Sequence, residues 1–104
     1  MTKQTFGSSH VPLSPAVRAG DFIFISGQTP VGPNGENVGG TIEVQTRQVL
    51  ENIKAALALA GAEMSDVVKT TVWLEDARDF GGFNKVYATY FPPIRPPGPP
   101  RRGV

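Results

Sequence analysis

The stretch Gly20–Pro30, GDFIFISGQTP, decides how this chain folds. Four consecutive apolar residues, Phe22–Ile25, run directly into the small polar group Ser26-Gly27-Gln28. A short unbroken apolar run bounded by Gly and Pro predicts a strand that is buried on both faces. Because glycine has no Cβ, Gly27 allows a ligand to approach the backbone at the end of that strand. The stretch therefore predicts a central strand and the place of a binding site.

Length and composition limit the protein to one small domain of 104 residues. Such a domain buries only about 60–65% of its unfolded surface, so covering both faces of one strand predicts oligomerisation. The chain has no cysteine, which excludes disulfides and thiolate metal sites, and its one histidine, His10, is expected to be solvated. No run approaches the ~20 apolar residues of a membrane span, and no signal-peptide core is present at the N-terminus. We expect a soluble cytoplasmic protein with no bound metal.

The charges are distributed unevenly around a net charge of +1. The nine acidic residues all precede Phe91, together with seven of the ten basic residues, so residues 1–91 carry a net charge of −2. Arg95, Arg101 and Arg102 follow without any acidic residue. A slightly acidic body is a poor footprint for nucleic acid, so nucleic acid is an unlikely partner.

The first forty residues predict strands and a loop. The segment Thr2–Pro15 is polar and favours a short edge strand or an irregular arm. Ala16–Ala19 is a second candidate strand, which turns at Gly20-Asp21 into the apolar strand. Pro30–Gly40 is rich in Gly and Pro and is expected to be a loop.

One amphipathic helix of about 18–20 residues follows. Thr41 is the expected N-cap, Glu43 lies in the first turn where the helix dipole favours a carboxylate, and Gly61 ends the helix at C′. Apolar residues spaced by three and four form one stripe, which is expected to pack on a sheet: Val49, Ile53, Ala56, Leu57 and Ala60.

The segment Val67–Leu74 is β-branched and alternating, which predicts another strand. A strand, a helix and a strand form a right-handed crossover, so this strand is expected to lie parallel to Phe22–Ile25. The charged segment Glu75–Asp79 is interpreted as a solvated turn and not a metal site, with Asp79 capping a second helix. The apolar face of that helix is predicted to comprise Phe83, Val86, Tyr87, Tyr90 and Phe91.

The last thirteen residues, PPIRPPGPPRRGV, differ in composition from the rest. Six of the ten prolines lie here, and proline has no N–H for a β-ladder, so polyproline II or disorder is expected. The chain is thus predicted to divide into a folded domain at residues 1–91 and a Pro/Arg-rich tail at residues 92–104.

Three blocks resemble the reactive-intermediate deaminase family, also called the YjgF or L-PSP family. They are GDFIFISGQTPV, IEVQTRQVLENIKAALALAGAEMSDVVKTTVWLEDARDF and FNKVYATYF. Their most specific motifs are SGQ-x-P, QT-x-Q-x-L-x-N-I and DVVK-x-TV-x-L-x-D, in this order, and the match covers about Pro12 to Phe91.

The resemblance implies a chorismate-mutase-like α+β fold of the bacillus type, a mixed sheet with two helices packed on one face. It implies a homotrimer with ligand clefts between subunits. It also implies a hydrolase that converts enamine and imine intermediates to 2-keto acids and ammonia without a cofactor. The expected ligand is therefore a small carboxylate at a subunit interface.

Substrate-binding residues are transferred from the family position by position. Ser26, Gly27 and Gln28 match the residues that line the cleft, and Asn84 matches a helix residue beside it. Position 16 is Ala, where many members carry Tyr. No catalytic residue is assigned.

The tail departs from the pattern of catalytic members, which carry Pro-Ala-Arg-[Ser/Thr] with an Arg that binds the substrate carboxylate. Pro96-Pro97-Gly98 stands there instead, with Gly98 at the position of that Arg. Arg95 lies three residues before Gly98 and is a candidate substrate-binding residue. The final strand, whose Glu orients the water, is expected to be missing. A shift of reading frame is one hypothesis for the tail, since Pro-Ala-Arg-Ala-Thr codons read one base out of phase can give Pro-Pro-Gly-Pro-Pro.

Three functions remain open. The first is an imine deaminase, impaired by the missing Arg and Glu. The second is a non-catalytic trimeric module that binds small molecules or a partner, with the tail as a candidate docking segment. The third is an endoribonuclease or translation inhibitor, which the sequence supports poorly because it has no histidine pair for acid–base cleavage.

Overall fold

The computed structural model describes residues 3–7 and 14–91. The predictions for His10, for Arg95 and for the Pro/Arg-rich tail lie outside these residues. The described strands and α-helices are, in chain order, β1 (Lys3–Phe6), β2 (Ala16–Ala19), β3 (Phe22–Ile25), α1 (Ile42–Leu59) and α2 (Phe80–Tyr90). Two short 3₁₀ helices, Met64–Asp66 and Ala77–Asp79, lie between α1 and α2.

The three strands form one antiparallel sheet in the order β1-β2-β3. A tight turn joins β2 to β3 at the predicted place, with Gly20 at φ 62°, a left-handed conformation that favours glycine. Ala16 pairs with Ile25, so the two share a face, and Ala16 is completely buried. This face is therefore the one directed at the core.

The single chain covers only one face of β3, so burial on both faces stays a prediction that depends on another subunit. Phe22 and Phe24 are 63% and 62% exposed, whereas Ile23 and Ile25 on the opposite face are half-buried. The cause is that a strand alternates its side chains between faces, and α1 packs on one side of β2 and β3 only. The sheet thus has an apolar face that no described part of the chain covers.

Helix α1 confirms the helix prediction at both ends. Thr41 Oγ1 accepts a hydrogen bond from the Val44 N–H at 3.3 Å, and Gly61 follows the helix at φ 76°. The buried stripe differs from the predicted one: Thr46 and Leu50 belong to it, whereas the predicted Val49 and Ile53 are only half-buried. The buried core residues of the described chain are Ala16, Thr46, Leu50, Ala56, Leu57, Ala60 and Val86.

Helix α2 packs mainly against α1. The contact is close at Gly82, where an added Cβ would lie 2.6 Å from Ile42 Cγ2. Of the predicted apolar face, Val86 is buried and the four aromatic residues are partly exposed. Asp79 occupies the N-cap position but its side chain makes no capping hydrogen bond.

The segment Val67–Leu74 forms no strand in the described structure, so the predicted parallel strand and crossover are wrong there. Its backbone has no ladder partner among the described residues, and Val68 and Trp73 are each 89% exposed. A 2.5 Å hydrogen bond between the hydroxyls of Thr70 and Tyr87 links the segment to α2. A β-branched, alternating pattern is not sufficient for a strand without an adjacent edge to pair with.

The turn after this segment is charged and solvated, as predicted. Asp76 Oδ1 accepts a hydrogen bond from the Arg78 N–H at 2.9 Å, and the two side chains form an exposed ion pair at 2.8 Å. The hydrogen bonds from Arg78 lower the pKa of Asp76. Neither helix in the described part has the length and apolar character needed to cross a bilayer.

Candidate functional site

The candidate site is the segment Ser26–Val31, which leaves β3 and runs along the side of α1. It contains the predicted residues Ser26, Gly27 and Gln28, and no residue of it belongs to a named strand. Only Val31 forms a β-bridge, an isolated one with Asn37. Its conformation therefore depends on individual hydrogen bonds.

Ser26 is fixed to the segment before β2. Its N–H donates to the Pro15 carbonyl at 3.1 Å, and its Oγ donates to the Ser14 carbonyl at 2.5 Å. A carbonyl accepts but cannot take up a proton, so the Ser26 hydroxyl keeps its hydrogen there. The lone pairs of Oγ remain available to accept a hydrogen bond from another group.

Gly27 and Gln28 carry two adjacent backbone donors of the segment; Gly27 is exposed and Gln28 is half-buried, and the Thr29 N–H beside them also has no acceptor among the described residues. No described residue accepts a hydrogen bond from either backbone N–H. Gly27 is exposed, and a Cβ built on it would meet nothing within 4 Å. The side chain of Gln28 folds back, and its Nε2 donates to the Ser26 carbonyl at 3.0 Å. Two adjacent N–H groups beside an unobstructed glycine are a suitable place for an anionic oxygen.

Helix α1 holds the far end of the segment through Asn52. Its Nδ2 donates to the Val31 carbonyl at 2.9 Å and to the Thr29 carbonyl at 3.2 Å. Gln48, one turn earlier, donates from Nε2 to Asn52 Oδ1 at 2.9 Å. Neither amide was predicted to have a role at the site, although both belong to the motif QT-x-Q-x-L-x-N-I. Their i, i+4 spacing on one helix face was the available signal.

The remaining predicted residues are not brought to this segment by the single chain. Asn84 is exposed on α2, and within residues 3–7 and 14–91 no hydrogen bond joins it to Ser26, Gly27 or Gln28. Ala16 is fully buried, so this position serves the core and provides no hydroxyl like that of the family Tyr. Among the described residues no group of three His, Cys, Asp or Glu side chains is placed to hold a metal ion.

Comparison with known proteins identifies the family of this chain. The family model described as Endoribonuclease L-PSP matches residues 4–103. A RutC family protein of Pyrococcus horikoshii is 55% identical over 86 residues, which are 82% of this chain and 68% of that protein. Reactive Intermediate Deaminase A, chloroplastic, of Arabidopsis thaliana is 43% identical over 86 residues, which are 82% of this chain and 46% of that protein.

Two solved structures have the same fold. The crystal structure of yeast Mmf1 superposes with a TM-score of 0.85 at 32% identity, and the match covers 91% of this chain and 80% of that one. The crystal structure of E. coli TdcF with bound serine superposes with a TM-score of 0.78 at 34% identity, covering 85% of this chain and 73% of that one. The chorismate-mutase-like α+β fold is therefore confirmed. With a family model that matches nearly its whole length, the chain belongs to the endoribonuclease L-PSP family, the reactive-intermediate deaminase family that its motifs indicate.

Proposed function

We propose that this protein hydrolyses small 2-imino acids to 2-keto acids and ammonia, at a reduced rate. The observation that carries the proposal is the pair of backbone N–H groups at Gly27 and Gln28, which have no acceptor among the described residues. A family that includes a protein named Reactive Intermediate Deaminase supplies the reaction class.

The two N–H groups suit the carboxylate of the substrate. Charge-assisted hydrogen bonds from backbone N–H to an anionic oxygen are about twice as strong as neutral ones. Because nothing obstructs the α-carbon of Gly27, a ligand can come into contact with the main chain there. This binding mode needs no metal or cofactor.

Ser26 suits the role of hydrogen-bond acceptor and not that of nucleophile. Its proton is donated to a carbonyl, so no base is placed to remove it, whereas its lone pairs can accept from a water molecule or from the imine N–H. In the proposed reaction the water oxygen adds to the imine carbon as the nitrogen gains a proton. The resulting carbinolamine then expels ammonia and leaves the carbonyl of the 2-keto acid.

The reduced rate follows from Pro96-Pro97-Gly98, which stands where the resemblance implies Pro-Ala-Arg. A charge-assisted Arg–carboxylate contact contributes about 1.5–3 kcal/mol. Its loss weakens substrate capture roughly 10–100-fold. Arg95 is proposed as a partial substitute.

The proposed assembly is a homotrimer in the cytoplasm, with each site completed by a second subunit. The exposed Phe22 and Phe24 support it, because aromatic side chains on an uncovered sheet face favour contact with another chain. In this assembly Asn84 of one subunit lies beside Ser26 and Gly27 of the next.

The experiment combines an imine-trapping assay with a matched pair of variants. Semicarbazide traps the imine derived from 2-aminoacrylate, so a hydrolase lowers the amount of trapped product. Gly27→Ala is expected to remove the effect, because the added methyl group obstructs the ligand, while Gly39→Ala leaves it unchanged. The two variants are matched because an added Cβ meets nothing within 4 Å at either position. Equal activity of the two variants, or a wild-type rate that matches ordinary family members, would contradict the proposal.

A non-catalytic binding module is the second candidate, which the replaced Arg favours. The similar TdcF was crystallised with bound serine, an amino acid that has an α-carboxylate. Binding of serine or pyruvate at Gly27 without any faster loss of the imine would support this candidate over the first. An endoribonuclease would instead cleave RNA after removal of residues 96–104.

A further inference from the structure

We infer that Asn52 is a positioning residue, which fixes the ligand-facing part of the segment Ser26–Val31 from the side of helix α1. The inference rests on the proposed function, because it takes the Gly27 and Gln28 N–H groups as the ligand contacts. Asn52 itself is not placed against the ligand.

The geometry is that of a two-point clamp. One side-chain nitrogen, Asn52 Nδ2, donates to two carbonyl oxygens that are two residues apart, those of Thr29 at 3.2 Å and Val31 at 2.9 Å. The partners lie 23 and 21 residues away in sequence, so the contact joins the helix to a distant segment. Both hydrogens of the amide group are used, which leaves Nδ2 no further donor.

Gln48 sets the orientation of the Asn52 amide. Its Nε2 donates to Asn52 Oδ1 at 2.9 Å, so the oxygen faces Gln48 and the nitrogen faces the segment. A flipped amide would bring two donors together at Gln48 and an acceptor against two carbonyls. The donor side of Asn52 is therefore committed to the segment.

The Gly27 and Gln28 N–H groups, which have no acceptor among the described residues, lie between this clamp and a second attachment. Ser26 is held on the N-terminal side by its bonds to Ser14 and Pro15, and Thr29 is held on the C-terminal side by Asn52. Gly27 and Gln28 are the residues between these points, and the Gln28 side chain donates back to the Ser26 carbonyl. Release of the Asn52 side frees Gly27, which has no side chain, to rotate its N–H away from the ligand.

The test measures pyruvate binding by NMR titration of the Gly27 and Gln28 amide signals. Pyruvate is the 2-keto acid that hydrolysis of 2-iminopropanoate yields. Asn52→Asp replaces the donor nitrogen by an acceptor oxygen that faces two carbonyls, and we expect about tenfold weaker pyruvate binding. Gln45→Glu is the matched control on the same helix, because Gln45 Nε2 donates to the Gly40 carbonyl at 3.0 Å, away from the segment. Gln45→Glu adds the same negative charge as Asn52→Asp, and this variant is expected to bind pyruvate with wild-type affinity.

Asn52→Leu removes the donors without adding charge, and it is expected to weaken binding as Asn52→Asp does. Thermal unfolding of the three variants is measured in parallel. The inference is overturned if either Asn52 variant binds pyruvate with wild-type affinity, or if Gln45→Glu loses as much affinity as the Asn52 variants. It is also overturned if the loss of affinity only follows the fraction of unfolded protein, or if the wild type binds no pyruvate. A wild type that binds pyruvate but does not speed imine hydrolysis contradicts the proposed function instead, and the comparison of variants still decides the role of Asn52.

Discussion

Two adjacent glycines of α2 differ sharply in the room around them, and this difference allows a quantitative test of the helix packing. A Cβ added at Gly82 would lie 2.6 Å from Ile42 Cγ2 and 3.1 Å from the Glu43 carboxyl carbon. A Cβ added at Gly81 meets nothing within 4 Å. Gly81→Ala therefore measures helix propensity alone, and Gly82→Ala measures propensity and crowding together.

The expected magnitudes have opposite signs. Replacing a helical Gly by Ala stabilises a protein by about 0.5–1 kcal/mol. Crowding a packed contact costs about 1–3 kcal/mol, and Ile42 cannot turn away easily because a β-branched side chain has few χ1 rotamers in a helix. We expect Gly81→Ala to raise the free energy of unfolding by about 0.5–1 kcal/mol. Gly82→Ala should lower it by about 0.5–2 kcal/mol.

Urea unfolding followed by circular dichroism measures both changes, at one fixed protein concentration because assembly adds to stability. Ile42→Ala removes the crowded methyl group. Gly82→Ala should therefore lower the free energy of unfolding less in the Ile42→Ala background than in the wild type. An equal rise in stability for Gly81→Ala and Gly82→Ala would refute the close packing of α1 on α2.

Three further predictions concern the core, a phenol and the exposed segment. Leu50→Ala should lower the free energy of unfolding by about 2–5 kcal/mol in urea titrations, because Leu50 is buried and its loss leaves a cavity; a smaller change would mean that the core collapses around it. Burial and the hydrogen bond to Glu51 raise the pKa of Tyr90, so the folded state favours the neutral phenol. The contribution of this pair to the free energy of unfolding is present below about pH 10 and is lost at higher pH. Unfolding curves measured from about pH 9 to 11 should therefore show a smaller fall in stability for Tyr90→Phe than for the wild type. Trp73, the one tryptophan, is 89% exposed in the single chain, so a shift of its emission to shorter wavelength with rising protein concentration is expected if assembly covers it. If light scattering shows a trimer but the emission wavelength stays unchanged and iodide still quenches the emission, Trp73 lies outside the interface.

Local signals explain the parts of the fold that sequence reasoning predicted well. The bounds of α1 follow from Thr41 at one end and Gly61 at the other, and both act within one turn of the helix. The turn at Gly20-Asp21 needs only a residue that tolerates positive φ. Such features are decided by neighbours in the chain, so a single sequence contains them.

The errors concern partners that are distant in the chain. The alternation of Val67–Leu74 indicates residues that favour a pleated surface, but a strand also needs an edge to pair with, and the pattern does not name one. The apolar run Phe22–Ile25 similarly indicates two faces that avoid water. It does not tell whether the same chain or another one covers the face of Phe22 and Phe24.

The hydrogen bonds around the candidate segment were likewise not all foreseeable, and its role as a site stays a prediction. Ser26-Gly27-Gln28 was identifiable from its position after an apolar strand and from the family motif. The contribution of Asn52 was not, because its hydrogen bonds join residues more than twenty positions apart. A polar residue on a helix is usually solvated, and only the folded chain reveals which carbonyls it contacts.

The clamp by Asn52 has a consequence for how this site can diversify. Its two bonds end on main-chain oxygens, at Thr29 and Val31, and every amino acid carries such an oxygen. The side chains at these two positions are therefore free to mutate without loss of the anchoring contact. Substitutions at these positions can alter the size and polarity of the site's border, while the hydrogen bonds from Asn52 keep the backbone conformation unchanged.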